Sequence, residues 1–513
     1  MPLSALGSSI LLAVLLVYIL ALGCIGRFAG RNIANADDFL LAGRNVPLGL
    51  SVLSLLGTWF GSSAILGATR SSYEFGLAGT VLEPFACAAT LALTGLLFAG
   101  PLWRLQVSTV ADLFRARMGS MAEWISCVIQ VPTFFCWIGA QYLSIGALLE
   151  TYLGVPGWVG AVASCIVVLF ILWTGGMWAV TWTNSLLVAL AIGGVVILFL
   201  GTARTLGDGS ILYGVQRVWA ETPRERLAFF PDGRVTTILG TAGIFFTGLF
   251  GNIPGQDLQQ RVLCSRSPRV AVWSCLICSV LYLAVGLIPV YVGLAARIQL
   301  FDKITEAHVQ GDQVLSVAAP YFLNEPLVIV LVIGLISVNL AVAASATISQ
   351  TTILDRNVLR FLKRKADPST NYEKGCVIAV SIGSMIAAFS GESVMGLLEL
   401  SLVLVMVSLF VPMCVCLFAK NATPRLGIAS MIAGLFFWGC HGMIASLVSL
   451  DPIDSSGTQT RWQVFEVYLA VPSEIQGLAA STLVASLFLI RYPRLPGRVP
   501  NPSNPSFGEA MLE

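Results

Sequence analysis

The chain has 513 residues, 56% of them hydrophobic and 11% charged, with a formal net charge of +2. Soluble proteins of this size carry roughly a quarter charged residues, so the composition excludes an ordinary soluble enzyme. A net charge this small gives no electrostatic footprint for nucleic acid.

Mean hydropathy is +0.84. Apolar runs of about 20 residues, each long enough to span a bilayer, recur along the whole sequence. This pattern predicts an all-α polytopic membrane protein with the lipid bilayer as its solvent. Most of the twelve cysteines lie inside apolar runs (Cys87, Cys127, Cys165, Cys278, Cys414), where thiols pack as small hydrophobes. With only His308 and His441 besides, no zinc or disulfide framework and no cofactor is expected.

Thirteen spans are predicted, at 6–26, 46–68, 76–103, 122–150, 156–175, 184–204, 235–260, 269–296, 326–354, 374–390, 393–419, 425–448 and 473–491. The first, "SSILLAVLLVYILALGCIG", has no Lys or Arg before its apolar run. It reads as a retained helix rather than a signal peptide. The loops set the orientation through their Lys and Arg bias. Arg27, Arg31 and Arg44, then Arg104, Arg115 and Arg117, then Arg261, Arg266 and Arg269 fall on one side. The cluster from Arg356 to Lys374 falls there too, while Asp302, Glu306, Asp312, Asp451 and Asp454 fall on the other. This predicts an outside N-terminus and a cytoplasmic C-terminus, in a plasma or inner membrane. The loop 205–234 is mixed in sign and fits less well. Residues 496–513, rich in Pro, Ser and Asn, read as a disordered tail.

Two spans are interrupted. "SLLGTWFGSSAILGA" (Ser54 to Ala68) places Gly57, Gly61, Ser62 and Ser63 inside the second span. "GLFGNIPGQDLQQRV" (Gly248 to Val262) does the same to the seventh. Unpaired backbone survives at membrane depth only where it lines a protein cavity, and a matched pair of breaks points to a transporter binding site. Five spans separate the start of one from the start of the other, the spacing of a five-plus-five inverted repeat. Small residues also mark close helix packing, but both breaks at this spacing favour transport. The expected purpose of the second is to expose its backbone and Gln256 to a central cavity.

Several stretches resemble the sodium:solute symporter family, and most of all its high-affinity choline branch. They are "DDFLLAGRNVP" (Asp37 to Pro47), "TWFGSS", "YEFGLAG", "WTGGMWAVTWTNSLL" (Trp173 to Leu187), "GNIPGQDLQQRVL" and "ILDRNVLR" (Ile353 to Arg360). In the fourth of these Asn184 stands where aspartate is usual. The likeness covers about 35–420. It implies a LeuT-like five-plus-five core in 35–420, after an extra helix and loop in 1–34 and before two additional helices in 421–495. It also implies sodium-driven symport by alternating access.

By resemblance, sodium is held by the carbonyls of Leu56 and Trp59 and by hydroxyls on the eighth core helix. Ungapped alignment from "ILDRNV" puts Ala341 and Val342 where the family has serines, and a small shift brings in Ser345. The ion-binding candidates are therefore Leu56, Trp59, Ala341 and Ser345. Proton coupling, uncoupled transport and a transporter-like sensor remain as alternatives.

The choline branch holds its quaternary ammonium by cation–π contact, worth about 0.5–2 kcal/mol per aromatic ring. Trp59 and Trp137 match two of those tryptophans, and Gly255 replaces a third. The expected substrate is a small organic solute: a quaternary amine, an amino acid or an organic acid. Ser62, Ser63, Gln141, Asn252 and Gln256 are polar groups near the breaks, each equally readable as an interhelical hydrogen bond. Glu83, an intramembrane carboxylate and so a functional candidate, fits four readings: counter-charge to a cationic substrate, proton site, gate partner of Arg70, or outer-surface residue. The substrate-binding candidates are Trp59, Ser62, Trp137, Gln141, Gln256 and Glu83. No nucleophile–base pair or phosphate-cradling loop turns up, so no enzymatic activity is expected.

Overall fold

A computed structural model describes residues 3–33, 35–306, 313–359, 371–390, 394–449 and 466–491. The basic loop 360–370 and the tail 492–513, both used above, lie outside the described residues. Among those described, eleven helices are long and apolar enough to cross a membrane, with Leu48–Trp59 as a shorter apolar one.

That is two fewer than expected, and the difference has a local cause. Ser63–Arg104 runs from the second predicted span through the third, and Gly157–Leu206 covers the fifth and sixth. Each contains a glycine off the helical region: Gly76 at φ 69°, ψ −149°, and Gly176 at φ 47°, ψ −137°. A straight 50-residue helix would be about 75 Å long, far beyond the roughly 30 Å hydrocarbon core. At Gly176 a Cβ would lie 2.6 Å from the Phe39 carbonyl oxygen, so glycine serves both the left-handed φ and the close approach.

The eighth core helix, Glu325–Ile353, is the centre of the bundle. Every residue from Gly334 to Ile353 is buried, as its apolar and small residues on all sides require. It packs on Gly157–Leu206 and on Ser120–Leu153. Its far end carries the "ILDRNV" signature. Asn357 Nδ2 donates to Asp112 Oδ1 at 2.7 Å and to Glu123 Oε1 at 2.9 Å, and Asn357 Oδ1 accepts from Thr109 Oγ1 at 2.8 Å. Thr109 and Asp112 also form the capping box of the short helix Val110–Met118, so this motif anchors one end of the core.

The N-terminal helix Ala5–Ala29 packs along Gly157–Leu206, and Ser4 Oγ donates to Glu325 Oε1 at 2.6 Å. The last pair, Pro424–Ser449 and Ser473–Arg491, packs mainly on itself, with Ser430 Oγ and Ser481 Oγ 2.8 Å apart.

Candidate functional site

Both expected breaks are present. The first core helix runs Leu48–Trp59, loses regular helix at 60–62 and resumes as the π-turn Ser63–Gly67 and the helix Ala68–Phe75. Phe60 has ψ 77°, which turns the backbone out of the helix. The second broken helix runs Val235–Gly251, opens at 252–255 and resumes as Gln256–Cys264. Pro254 and Gly255 supply the missing donor and the free backbone that such an opening needs.

The two breaks are joined. Trp59 Nε1 donates to Asp257 Oδ2 at 3.1 Å, and both residues are buried. Asp257 lies in the first turn of Gln256–Cys264, where the helix dipole favours negative charge. A small pocket at this point is lined by Phe134, Trp137, Asn252, Gly255, Asp257 and Ser401, among others. Trp137 Nε1 is buried there and has no hydrogen-bond partner, so the pocket combines one carboxylate, two aromatic rings and one free donor.

Gly255 and Asp257 fit each other. A Cβ on Gly255 would sit 2.7 Å from Asp257 Oδ1 and 3.0 Å from the Asn252 carbonyl oxygen. A side chain at Gly255 would therefore have to push the Asp257 carboxylate aside and crowd the Asn252 carbonyl.

Gln141 stands behind the first break, its Oε1 accepting from Ser62 Oγ at 3.1 Å and from Ser62 N at 3.4 Å. Asn252 turns back on its own helix and donates to the Gly248 carbonyl at 2.8 Å. Gln256 does not face the pocket: its Oε1 accepts from Val110 N at 2.9 Å, and its Nε2 donates to the Ser108 carbonyl at 3.3 Å. Its amide is spent on the cap of a neighbouring helix.

Glu83 is buried rather than at the outer surface. Its Oε1 accepts from Ser63 Oγ at 3.1 Å and its Oε2 from Tyr282 OH at 2.7 Å. Arg70, the expected gate partner, instead pairs with Glu74 at 3.1 Å on the same helix. Glu83 thus braces the first break from behind and is not among the pocket-lining residues.

At the expected ion site, the Leu56 carbonyl accepts from Phe60 N at 2.8 Å and the Trp59 carbonyl from Gly61 N at 2.9 Å. Each carbonyl oxygen has two lone pairs. Ala341 and Ser345 are fully buried on the eighth core helix. Asn184 Nδ2 donates to Ser345 Oγ at 2.8 Å and to the Ser54 carbonyl at 3.3 Å, so it bridges the eighth core helix to the first. Asn184 Oδ1 is buried without a partner.

Sequence reasoning missed Asp257 and the role of Asn184. Asp257 had a usable signal, since a carboxylate inside a predicted span is a functional candidate by default. The contact of Asn184 depends on three helices meeting and had none.

The sequence profile of the sodium:solute symporter family matches residues 39–434. The chain belongs to the sodium:solute symporter family. It is 25% identical over 474 residues to the high-affinity choline transporter 1 of Caenorhabditis elegans, covering 87% of this chain and 78% of that one. It is 24% identical over 420 residues to the high-affinity choline transporter 1 of Drosophila melanogaster, covering 78% of this chain and 65% of that one. In fold it is similar to a Na⁺-coupled sialic acid symporter solved in a substrate-bound, outward-open state. The TM-score is 0.74 at 17% identity, with 93% of this chain and 98% of that one covered. Membership makes this protein a secondary active transporter, a symporter that moves a small organic solute with sodium.

Proposed function

We propose that the solute is a small organic cation, held between the Asp257 carboxylate and the rings of Trp137 and Phe134 once the two broken helices part to widen this water-sized pocket, with Trp59 fixing the carboxylate. The observation that carries this reading is Asp257 itself, a buried carboxylate at the pocket, tied to the first break by the Trp59 indole. A carboxylate in a low-dielectric pocket attracts cations and repels organic acids. An aromatic face adds cation–π attraction, and the free Trp137 Nε1 suits a solute that also carries an acceptor oxygen. Ser62 and Gln141 support the break rather than touch the solute.

Sodium takes the remaining lone pairs of the Leu56 and Trp59 carbonyls, with Ser345 as the hydroxyl ligand and Ala341 beside it. Oxygen ligands without a strongly acidic proton suit such a hard ion. The N-terminus lies outside and the C-terminus in the cytoplasm, in a plasma or inner membrane. The transport unit is 35–420, with 1–34, 421–495 and the tail 496–513 as additions.

The test is solute-evoked charge movement by the purified protein in liposomes. The panel holds quaternary amines, protonated amines, amino acids, carboxylates and sugars, with sodium present or replaced, at two pH values. Currents with organic cations in sodium alone are expected. A response confined to carboxylates or sugars would overturn the cation reading. A current that follows pH and ignores sodium would move the coupling to protons, and binding without charge movement would favour a sensor.

A further inference from the structure

Glu83 is not part of the pocket, yet it is a carboxylate deep in a membrane span, 6% exposed. Among the described residues no Lys or Arg forms an ion pair with it. An uncompensated buried charge is costly, so this carboxylate needs a positive charge at some point of the transport cycle.

The groups that face it are Ser63 on the first broken helix, Tyr282 on Pro268–Glu306 and Cys87 on its own helix. Cys278 lies one turn from Tyr282, and Asn252 on the second broken helix reaches Cys87 Sγ at 3.8 Å. None of these is a base that would hold a positive charge.

Tyr282 links this carboxylate to the ion site. Its hydroxyl oxygen stands 2.7 Å from Glu83 Oε2 and 3.3 Å from the Trp59 carbonyl oxygen, and it has one hydrogen to give. While Glu83 is ionised, that hydrogen goes to the carboxylate. Once Glu83 takes up a proton from solvent, the carboxyl O–H donates to the tyrosine oxygen, and the tyrosine hydrogen turns to Trp59. Gly61 N already holds one lone pair of the Trp59 carbonyl, so Tyr282 takes the second. That is the lone pair sodium needs.

We infer that Glu83 is a proton-binding site that opposes sodium: a proton on Glu83, relayed by Tyr282, and a sodium ion on the Trp59 carbonyl exclude each other. The inference rests on the ion-site reading given under Proposed function. Linkage makes the opposition reciprocal. Protonation weakens sodium binding, and sodium drives the proton off.

The experiment is sodium binding to the full-length purified protein, followed by tryptophan emission from pH 5 to 9, in the wild type and three variants. In the wild type the half-saturating sodium concentration rises as pH falls, by up to about tenfold per pH unit, the limit for one proton competing with one ion. Glu83→Gln keeps a donor toward Tyr282, so it binds sodium weakly at every pH. Tyr282→Phe cannot cap the carbonyl, so it binds tightly at every pH. Opposite shifts from two neighbouring substitutions are not the signature of general unfolding. Ser345→Ala weakens sodium at every pH and reports on the ion site alone. A wild-type affinity flat across pH, with Ser345→Ala still weakening it, overturns this inference only; so does a pH dependence that survives Tyr282→Phe. Sodium binding indifferent to Ser345→Ala overturns the ion-site reading and this inference with it.

Discussion

The Trp59 indole donates to Asp257 at 3.1 Å beside the pocket, and one turn further on Arg261 Nε donates to Thr58 Oγ1 at 2.9 Å, so the two broken helices are tied by buried hydrogen bonds. Asp257→Asn leaves an oxygen to accept from Trp59 and removes only the charge. The expected result is at least a tenfold rise in KM for a cationic solute, with little change for a neutral analogue of similar shape, read by radiolabelled uptake. Equal effects on both would assign Asp257 to helix positioning.

Trp59→Ala removes both that bond and an aromatic wall at the break. Transport is expected to be abolished while the protein still inserts and elutes as a monodisperse peak. Trp137→Ala is milder, because its Nε1 has no partner to lose. At about 0.5–2 kcal/mol per ring, the cation–π contact predicts a loss of about 2- to 30-fold in affinity. Uptake kinetics indistinguishable from wild type in both variants would remove the tryptophans from the site.

How much of this was legible in the sequence follows from what each feature depends on. The breaks at Gly61–Ser62 and Asn252–Gly255 are local events, written in runs of Gly, Ser and Pro, and both appear where the sequence puts them. The divisions between spans at 68–76 and 175–184 were legible as well, and Gly76 and Gly176 stand there; what the sequence did not show is that helix runs on through both, which lowers the count of separate helices. Side-chain direction was not legible. Gln256 and Asp257 are adjacent in one string, yet one caps Val110 while the other lines the pocket. Successive helical residues point about 100° apart, and only the packed neighbours decide which one meets the cavity.

Gly255 and Asp257 should behave as a coupled pair. Gly255→Ala places a methyl group 2.7 Å from Asp257 Oδ1, so it is expected to weaken solute binding several-fold by displacing the carboxylate. In the background of Asp257→Ala the same substitution meets a methyl side chain instead and should cost little. A double-mutant cycle on binding affinity measures this coupling. Simple additivity of the two substitutions would show that the glycine serves only backbone conformation.

Asn184 offers the sharpest test of the ion site. It bridges Ser345 Oγ and the Ser54 carbonyl, and its own Oδ1 is buried without a partner. Asn184→Asp puts a carboxylate within reach of the Ser345 hydroxyl and sets it against the Ser54 carbonyl, which already accepts from Thr58 Oγ1 at 2.8 Å. Without sodium that added buried charge destabilises the bundle. With sodium on the Leu56 and Trp59 carbonyls it is compensated. Thermal unfolding of the variant is therefore expected at lower temperature than wild type in potassium, with a larger recovery in sodium, because a ligand bound only by the folded state stabilises it by mass action. Equal melting shifts in the two salts would separate Asn184 from the sodium site and leave it as a structural bridge between the first and eighth core helices.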